Sequence, residues 1–139
     1  MSFQVREMAI RDYDEVIALW QESEGIGLSD ADTREGVAHF LDRNPGLSLV
    51  ACDGVQLAGA VLCGHDGRRG FIHHLAVHPS YRRRGLGRSL VDRCLGELKR
   101  LGIDKCHLFV YGENRDAIFF WQKTDWTERI DLIMMSKYT

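Results

Sequence analysis

The sequence of 139 residues lacks several features that would assign it to a broad class of protein. It has no apolar run of the roughly 20 residues that a membrane-spanning helix needs. Its first residues do not combine a basic segment with a following apolar one, as a secretory signal does. We therefore expect a soluble cytoplasmic protein with no membrane partner.

The chain also lacks an excess of charge, since its formal net charge is -2. A dedicated nucleic-acid-binding protein needs a broad basic surface that displaces counterions from phosphates. We therefore expect no nucleic-acid partner, and any basic patch should be local.

The spacing of cysteines and histidines gives little support for a metal site or for disulfides. The four cysteines never approach C-x-x-C spacing and lie in apolar stretches, which indicates reduced thiols in the core. The spacing of His73, His74 and His78 could suggest a metal site. In an alternating strand, however, His73 would point away from the other two, and no carboxylate or cysteine in the segment completes a ligand set. We predict no metal site.

No internal repeat, low-complexity stretch or linker interrupts the sequence, which predicts one domain over residues 1–139. Hydrophobic periodicity and turn residues predict its elements. The predicted strands are 3–7, 47–52, 55–64, 71–78 and 105–111, with edge strands within 126–137. The predicted helices are one that Asp12 caps, one over about 30–43, one over 85–101, and one that Asn114 caps.

The order of these elements indicates the fold class. Segments 47–52 and 55–64 are joined by Asp53-Gly54, which suits a tight antiparallel turn. Strand 71–78, helix 85–101 and strand 105–111 form a right-handed crossover, so these two strands should be parallel. The sequence therefore predicts an α/β protein with a mixed sheet.

The main chemical signal is Arg82-x-x-Gly85-x-Gly87, between a strand and a helix. Glycines allow a ligand to approach the backbone closely, and the first turn of a helix presents unpaired N–H groups to an anion. The segment lacks the lysine of a Walker loop, and Leu90 replaces the third glycine of the dinucleotide fingerprint. By spacing alone, a basic helix start whose glycines serve packing is nearly as good an interpretation. Positive charge comes from four arginines: Arg82, Arg83, Arg84 and Arg88.

The flanking sequence closely resembles the acetyl-CoA-binding motif of the GNAT N-acetyltransferases. The matching residues are Phe71-Ile72-His73-His74-Leu75-Ala76-Val77-His78-Pro79-x-Tyr81-Arg82-x-x-Gly85-x-Gly87. A second block is similar to another motif of the family: Asn114-x-x-Ala117-x-x-Phe120-Trp121-x-x-x-Asp125-Trp126. Together with the element order, the resemblance covers nearly the whole chain. It implies the GNAT fold, with a mixed central β-sheet and helices on both faces, as a single N-acetyltransferase domain.

The resemblance also implies acetyl-CoA as the acyl donor. The strand before the loop would pair its backbone with the pantetheine arm at Leu75, Ala76 and Val77. Asn114 would contact the same arm, and Phe120 and Trp121 would complete this part of the site. The remaining residues implied for donor binding form the loop and the first helical turn, where the pyrophosphate would lie: Arg82, Arg83, Arg84, Gly85, Leu86, Gly87, Arg88 and Ser89.

Two positions depart from the family pattern. The family usually has a tyrosine seven residues after the asparagine, where it can protonate the departing thiolate, and this chain has Trp121. An indole N–H does not readily release its proton, so we predict that Trp121 mainly packs beside the thiol and can steady the thiolate. The usual Gly-Phe ending of the block is here Asp125-Trp126.

His73 and His74 are the candidate bases, because imidazole titrates near neutral pH and the strand directs one of them toward the acceptor. We favour His74; the alternative is that both are ordinary histidines of a half-buried strand. In the family, the loop corresponding to residues 22–28 covers the acceptor. Its Glu22 and Glu24 suggest a cationic amine, although a solvated loop is an equal alternative.

The sequence leaves several points open. The acceptor is a small-molecule or peptide amine of unknown identity, and the oligomeric state is open between a monomer and a homodimer. One alternative function is an acetyl-CoA-binding sensor or partner module without turnover, motivated by Trp121. A second is a nucleotide or dinucleotide binder, which the missing motif residues disfavour.

Overall fold

The computed structural model describes residues 3–139. They divide into two compact units, of which the first ends at Phe109 and the second comprises Val110–Thr139. The first unit contains five strands: β1 (Gln4–Glu7), β2 (Leu49–Asp53), β3 (Gln56–His65), β4 (Gly70–Val77) and β5 (Cys106–Leu108). Its α-helices are α1 (Tyr13–Glu22), α2 (Arg34–Arg43) and α3 (Leu86–Arg100). Short 3-10 turns occupy Ile10–Asp12, Asp30–Asp32 and Pro79–Tyr81.

The five strands form one sheet in the order β1-β2-β3-β4-β5. The pairs β1–β2, β2–β3 and β3–β4 are antiparallel, whereas β4 and β5 are parallel, with α3 as the crossover between them. Gly54, between β2 and β3, has a φ of 63° that suits the tight turn. The predicted mixed sheet is therefore confirmed.

Helices cover both faces of this sheet. Residues of α1 and α2 form a core cluster with Ala60 of β3. A Cβ atom at the preceding residue, Gly59, would meet Leu86 and Leu90 of α3. Because successive residues of a strand point to opposite faces, α3 lies on the face opposite α1 and α2. The prediction of helices on both faces is confirmed.

The start of α1 differs from the predicted cap. Asp12 precedes the helix, but its side chain makes no capping hydrogen bond there. Its carboxylate accepts hydrogen bonds from Arg6 Nη1 (2.8 Å), Arg6 Nη2 (2.7 Å) and the Ala9 N–H (2.8 Å). The hydrogen bond from Arg6 holds the pKa of Asp12 below its usual value. Asp12 therefore occupies the N-cap position as predicted, but its carboxylate fastens α1 to β1 instead of capping the helix.

The helix predicted over about 30–43 is divided in two. A 3-10 turn, Asp30–Asp32, precedes α2, and Thr33 caps α2 by accepting a hydrogen bond from the Gly36 N–H at 3.0 Å. A Cβ atom at Gly36 would clash with the carbonyl oxygen of Ala31. Gly36 therefore permits a close turn that the helical periodicity did not indicate, and Asp32 is buried in it.

The second unit contains α4 (Arg115–Lys123), which Asn114 caps as predicted: its Oδ1 accepts a hydrogen bond from the Ala117 N–H at 3.2 Å. The edge strands predicted within 126–137 are wrong, since no strand forms there. Alternation shows which face of a strand would be buried, but a strand also needs a hydrogen-bonded neighbour. This segment leaves a group of apolar side chains exposed: Ile130, Leu132, Ile133, Met134 and Met135.

Across residues 3–139, no helix is both long and apolar enough to cross a membrane. The four cysteines all lie in this range, and none forms a disulfide. Cys63 of β3 and Cys94 of α3 are both buried, and the neighbouring Cys94 thiol, together with burial, raises the pKa of Cys63.

Candidate active site

A β-bulge lies at the centre of β4. Ala60 of β3 pairs with Ala76, whereas Leu62 pairs with His73, so β4 has an extra residue between these pairs. His74 has a φ of 54°, in the left-handed region that non-glycine residues rarely adopt. Such backbone persists only where its surroundings hold it, often at functional sites.

The bulge brings the two histidine rings to the same face of the sheet. His73 lies edge-on to Phe40 of α2, with ring centroids 6.0 Å apart, and His74 lies 5.0 Å from Trp20 of α1. The two imidazole centroids are 6.4 Å apart. The prediction that His73 points opposite to His74 is therefore wrong, because the extra residue interrupts the alternation on which it was based.

His74 forms an ion pair or hydrogen bond with Asp32, whose Oδ1 lies 3.0 Å from His74 Nε2. The His74 side chain is 18% exposed and that of Asp32 is 9% exposed, so the pair is largely shielded while the histidine remains accessible. The other carboxylate oxygen of Asp32 accepts a hydrogen bond from the Ser29 N–H at 3.0 Å. The Tyr13 hydroxyl donates to the Asp32 carbonyl oxygen at 2.6 Å.

Sequence reasoning did not identify Asp32 as a site residue. The Ser29-x-x-Asp32 spacing is a capping-box signal, and the structure contains that box. The signal accounts for one carboxylate oxygen only. The partner of the other lies 42 positions along the chain, beyond any local pattern.

His73 has a different environment. Burial lowers its pKa, and the nearby His74 lowers it further, while the Asp32 carboxylate acts in the opposite direction. Its ring stacks on Phe71 at a centroid distance of 6.3 Å. His73 is therefore a poorer proton acceptor than a free imidazole, and His74 is the histidine with a carboxylate partner.

The edge of β4 beyond the bulge is not covered by β5, which pairs only with Gly70, Phe71 and Ile72. The His78 N–H donates to the Ala58 carbonyl at 2.8 Å, so by antiparallel alternation the peptide groups of Ala76 also bond to β3. By the same alternation, those of Val77 point the other way. Arg82 Nε donates to the Val77 carbonyl at 3.1 Å, which leaves the Val77 N–H on this edge.

The loop after β4 leads into α3 with two left-handed residues, Arg83 (φ 64°) and Gly85 (φ 75°). Gly85 is the N-cap of α3 and has no side chain to cap it. The first helical turn therefore presents N–H groups outward, where the helix dipole favours an anion. The four residues of the loop before the helix are exposed: Arg82, Arg83, Arg84 and Gly85.

Neighbouring side chains brace this loop. The Tyr81 hydroxyl donates to Asp53 Oδ2 at 3.0 Å, which ties the loop to the β2–β3 turn, and the Arg84 guanidinium lies 5.7 Å from the Tyr81 ring centre. Because these contacts already hold the loop, a ligand that binds to its charged residues loses less free energy in ordering it.

The segment 22–28, which is predicted to cover the acceptor, precedes the turn that holds Asp32, the partner of His74. Ile26 and Leu28 pack against the core cluster that contains Trp20, while Glu22 and Glu24 are exposed. The chain then runs through Ser29 into the turn that holds Asp32. An acidic, partly anchored loop therefore adjoins the His74–Asp32 pair.

In the second unit, Trp121 belongs to an aromatic cluster. Its ring lies 5.0 Å from that of Phe120 and 5.3 Å from that of Trp126, both edge-on. The Trp126 N–H also donates to the Trp121 carbonyl at 3.0 Å. The two departures from the family motif, Trp121 and Trp126, therefore contact each other.

The model of the acetyltransferase (GNAT) family matches residues 13–126. The chain belongs to this family. An acetyltransferase of Sodalis glossinidius is 30% identical over 134 residues, which cover 96% of this GNAT chain and 94% of that protein. The prediction of a GNAT-type acetyltransferase is confirmed.

Solved structures share the GNAT fold of this chain. The PaiA N-acetyltransferase of Thermoplasma acidophilum, in complex with coenzyme A, has a TM-score of 0.78 at 22% identity, with 88% of each chain covered. AAC(6')-Iy, in complex with the bisubstrate analogue CoA-S-monomethyl-acetylneamine, has a TM-score of 0.78 at 18% identity, with 100% of each chain covered. At these identities the likeness concerns the fold, and the predicted fold class is confirmed.

Proposed function

We propose that this protein transfers the acetyl group of acetyl-CoA to a primary amine by direct attack on the thioester. The observation that carries the proposal is the arrangement on β4: an accessible histidine with a buried carboxylate partner lies next to a strand edge that β5 does not cover, and the strand leads to a helix start whose N–H groups favour an anion. Family membership supports it, as does the coenzyme A bound to the PaiA structure.

Donor binding divides into two parts. The open edge of β4 would pair with amide groups of the pantetheine arm through Leu75 and Val77, while Ala76 is committed to β3. The pyrophosphate would lie at the start of α3, on the N–H groups of Leu86, Gly87 and Arg88, with the loop arginines and Ser89 around it. Asn114 and Phe120 are proposed as further donor contacts from the family motif alone.

In the chemical step, the amine nitrogen forms a bond to the thioester carbonyl carbon and the C–S bond breaks. The products are an N-acetylated amine and a CoA thiolate. His74 takes the proton that the amine nitrogen loses, directly or through water, and the Leu75 N–H can stabilise the oxyanion as it forms. Solvent can protonate the thiolate, because thiols titrate near pH 8.5.

The proposed acceptor is a small-molecule or peptide amine that carries positive charge elsewhere. The bisubstrate analogue of AAC(6')-Iy shows that this fold accommodates an amine acceptor in that protein. In the present chain, Glu22 and Glu24 are exposed on the loop that adjoins Asp32, where they would attract a cation.

Trp121→Phe is expected to change kcat by less than about fivefold, because Trp121 packs against Phe120 and Trp126 and its indole cannot act as a general acid. Loss of a true general acid would instead lower kcat by roughly 10²–10⁴. The rate of thiol release at saturating substrates measures this. A hundredfold fall, in a variant with an unchanged melting temperature and acetyl-CoA affinity, would contradict the packing role.

The proposal is tested by incubating the protein with acetyl-CoA and a panel of primary amines, while thiol release is followed. We expect amine-dependent release that is fastest with polycationic acceptors. Binding of acetyl-CoA by calorimetry without release for any amine would favour the alternative of a non-catalytic binding module. Binding of ATP or NAD in place of acetyl-CoA would favour a nucleotide binder.

A further inference from the structure

We propose that Asp32 is a positioning residue, which fixes the tautomer of His74 so that Nδ1 is the nitrogen that accepts the proton. The inference rests on the proposed role of His74 as base. It concerns a residue that lies far from the motifs of β4 and α3 in the sequence, and it follows from the hydrogen bonds around the Asp32 carboxylate.

Both oxygens of this carboxylate are engaged by groups that fix its orientation. Oδ2 accepts a hydrogen bond from the Ser29 N–H at 3.0 Å, and Oδ1 lies 3.0 Å from His74 Nε2. An ionised carboxylate has only acceptor atoms, so Nε2 must carry the hydrogen. A neutral imidazole carries a single N–H, and therefore the lone pair of His74 lies on Nδ1.

The surroundings reinforce this hydrogen bond. Asp32 is 8% exposed, and Trp20, which is fully buried, packs against the His74 ring. Exclusion of water strengthens a hydrogen bond between a carboxylate and an imidazole. Two further titratable groups lie beside the pair: His73, whose ring centroid is 6.4 Å from that of His74, and Tyr13, whose hydroxyl donates to the Asp32 carbonyl.

The backbone of β4 provides an independent observation. His74 is the residue of the bulge with a left-handed φ, a conformation that costs roughly 1–3 kcal/mol and persists only where contacts hold it. The hydrogen bond to Asp32 is one such contact. This hydrogen bond ties the left-handed residue of β4 to the turn Asp30–Asp32 that precedes α2.

Asp32→Asn is the diagnostic substitution because it keeps the shape and removes one acceptor. The Ser29 N–H can only donate, so the amide oxygen remains with Ser29 and the NH₂ group faces His74 Nε2. Nε2 must then accept, and the ring hydrogen moves to Nδ1, which can no longer accept a proton. The same reasoning explains why an amide in place of a triad aspartate imposes the wrong tautomer in serine proteases.

The first test uses ¹⁵N NMR of the full chain with labelled histidine, at a pH where His74 is neutral. The His74 signals are assigned by their loss in His74→Gln. We expect the Nε2–H tautomer in the unmodified protein and the Nδ1–H tautomer in Asp32→Asn. Asp30→Asn, which removes the same charge from an exposed position in the same turn, should retain the Nε2–H tautomer. An Nδ1–H tautomer in the unmodified protein would overturn the proposal without any variant.

The second test is kinetic. Asp32→Asn should lower kcat about tenfold or more, with the KM for acetyl-CoA within about twofold of the original. Since a carboxylate stabilises a protonated imidazole, the acidic limb of the pH–rate profile should move to lower pH. Asp30→Asn should leave both kcat and the pH–rate profile unchanged. Equal losses in the two variants, or an unmoved profile in Asp32→Asn, would overturn the positioning role. If the unmodified protein transferred no acetyl group, the proposed function would be wrong. The tautomer measurement would still decide whether Asp32 fixes the tautomer of His74.

Discussion

Replacement of His74 by glutamine is expected to lower kcat by roughly 10² at neutral pH, the lower end of what a general base contributes. The glutamine amide can still donate a hydrogen bond to Asp32, so the turn that holds Asp32 should remain in place, but no group is left to take the proton of the amine. The affinity for acetyl-CoA should not change, and the acidic limb of the pH–rate profile should disappear. Thiol release over a range of pH measures all but the affinity, which calorimetry measures.

His73→Gln is the matched comparison, because it removes a second imidazole from the same face of β4. His73 packs against Phe40 and Phe71, and its pKa is lowered by burial, so the rate should fall much less while the melting temperature can fall. A larger loss of kcat in His73→Gln than in His74→Gln would exchange their assigned roles. Retention of rate and profile in both variants would mean that water takes the proton.

Gly87→Glu is expected to weaken acetyl-CoA binding at least about tenfold, since it introduces a negative charge where the start of α3 should bind a pyrophosphate. The reason is electrostatic: the outward N–H groups of the first turn and the nearby arginines favour an anion, and a local carboxylate competes with the ligand for both. Calorimetric titration of the folded variant with acetyl-CoA gives the affinity directly.

Gly96→Glu provides a control on the same helix. Gly96 is exposed, and a Cβ atom there would have nothing within 4 Å, so the same side chain is added at no steric cost. We expect affinity within about twofold of the original protein, because charges on an exposed surface are screened beyond roughly 8–10 Å. If both glutamates weakened acetyl-CoA binding equally, the cause would be a general effect of charge. If the affinity of Gly87→Glu were unchanged, the start of α3 would not be the site that binds the pyrophosphate.

Features that depend on local sequence could be predicted. The apolar stripe of α3, the tight turn at Gly54 and the cap at Asn114 are each encoded within a few residues, and the structure contains them at nearly the predicted positions. The loop proposed to bind the pyrophosphate is also a local feature, because its glycines and arginines adjoin the start of a single helix.

Features that depend on distant contacts could not be predicted. The partnership of Asp32 with His74 joins two segments that are far apart in sequence, and the bulge at His74 appears only when β4 is aligned with β3. The bulge in turn places His74 on the same face of the sheet as His73, where strict alternation would have separated them. The alternation within 126–137 suggested strands, yet alternation carries no information on whether a pairing partner is present.

The most direct test of the central claim uses acetyl-CoA labelled with ¹³C at the acetyl carbonyl, together with the best amine of the panel. The account predicts that the thioester carbonyl signal is replaced by an amide carbonyl signal, with one thiol released for each amide formed, and that both processes are slower in Gly87→Glu at low acetyl-CoA. Thiol release with labelled acetate and no amide, or no change in the thioester signal with any amine, would contradict it.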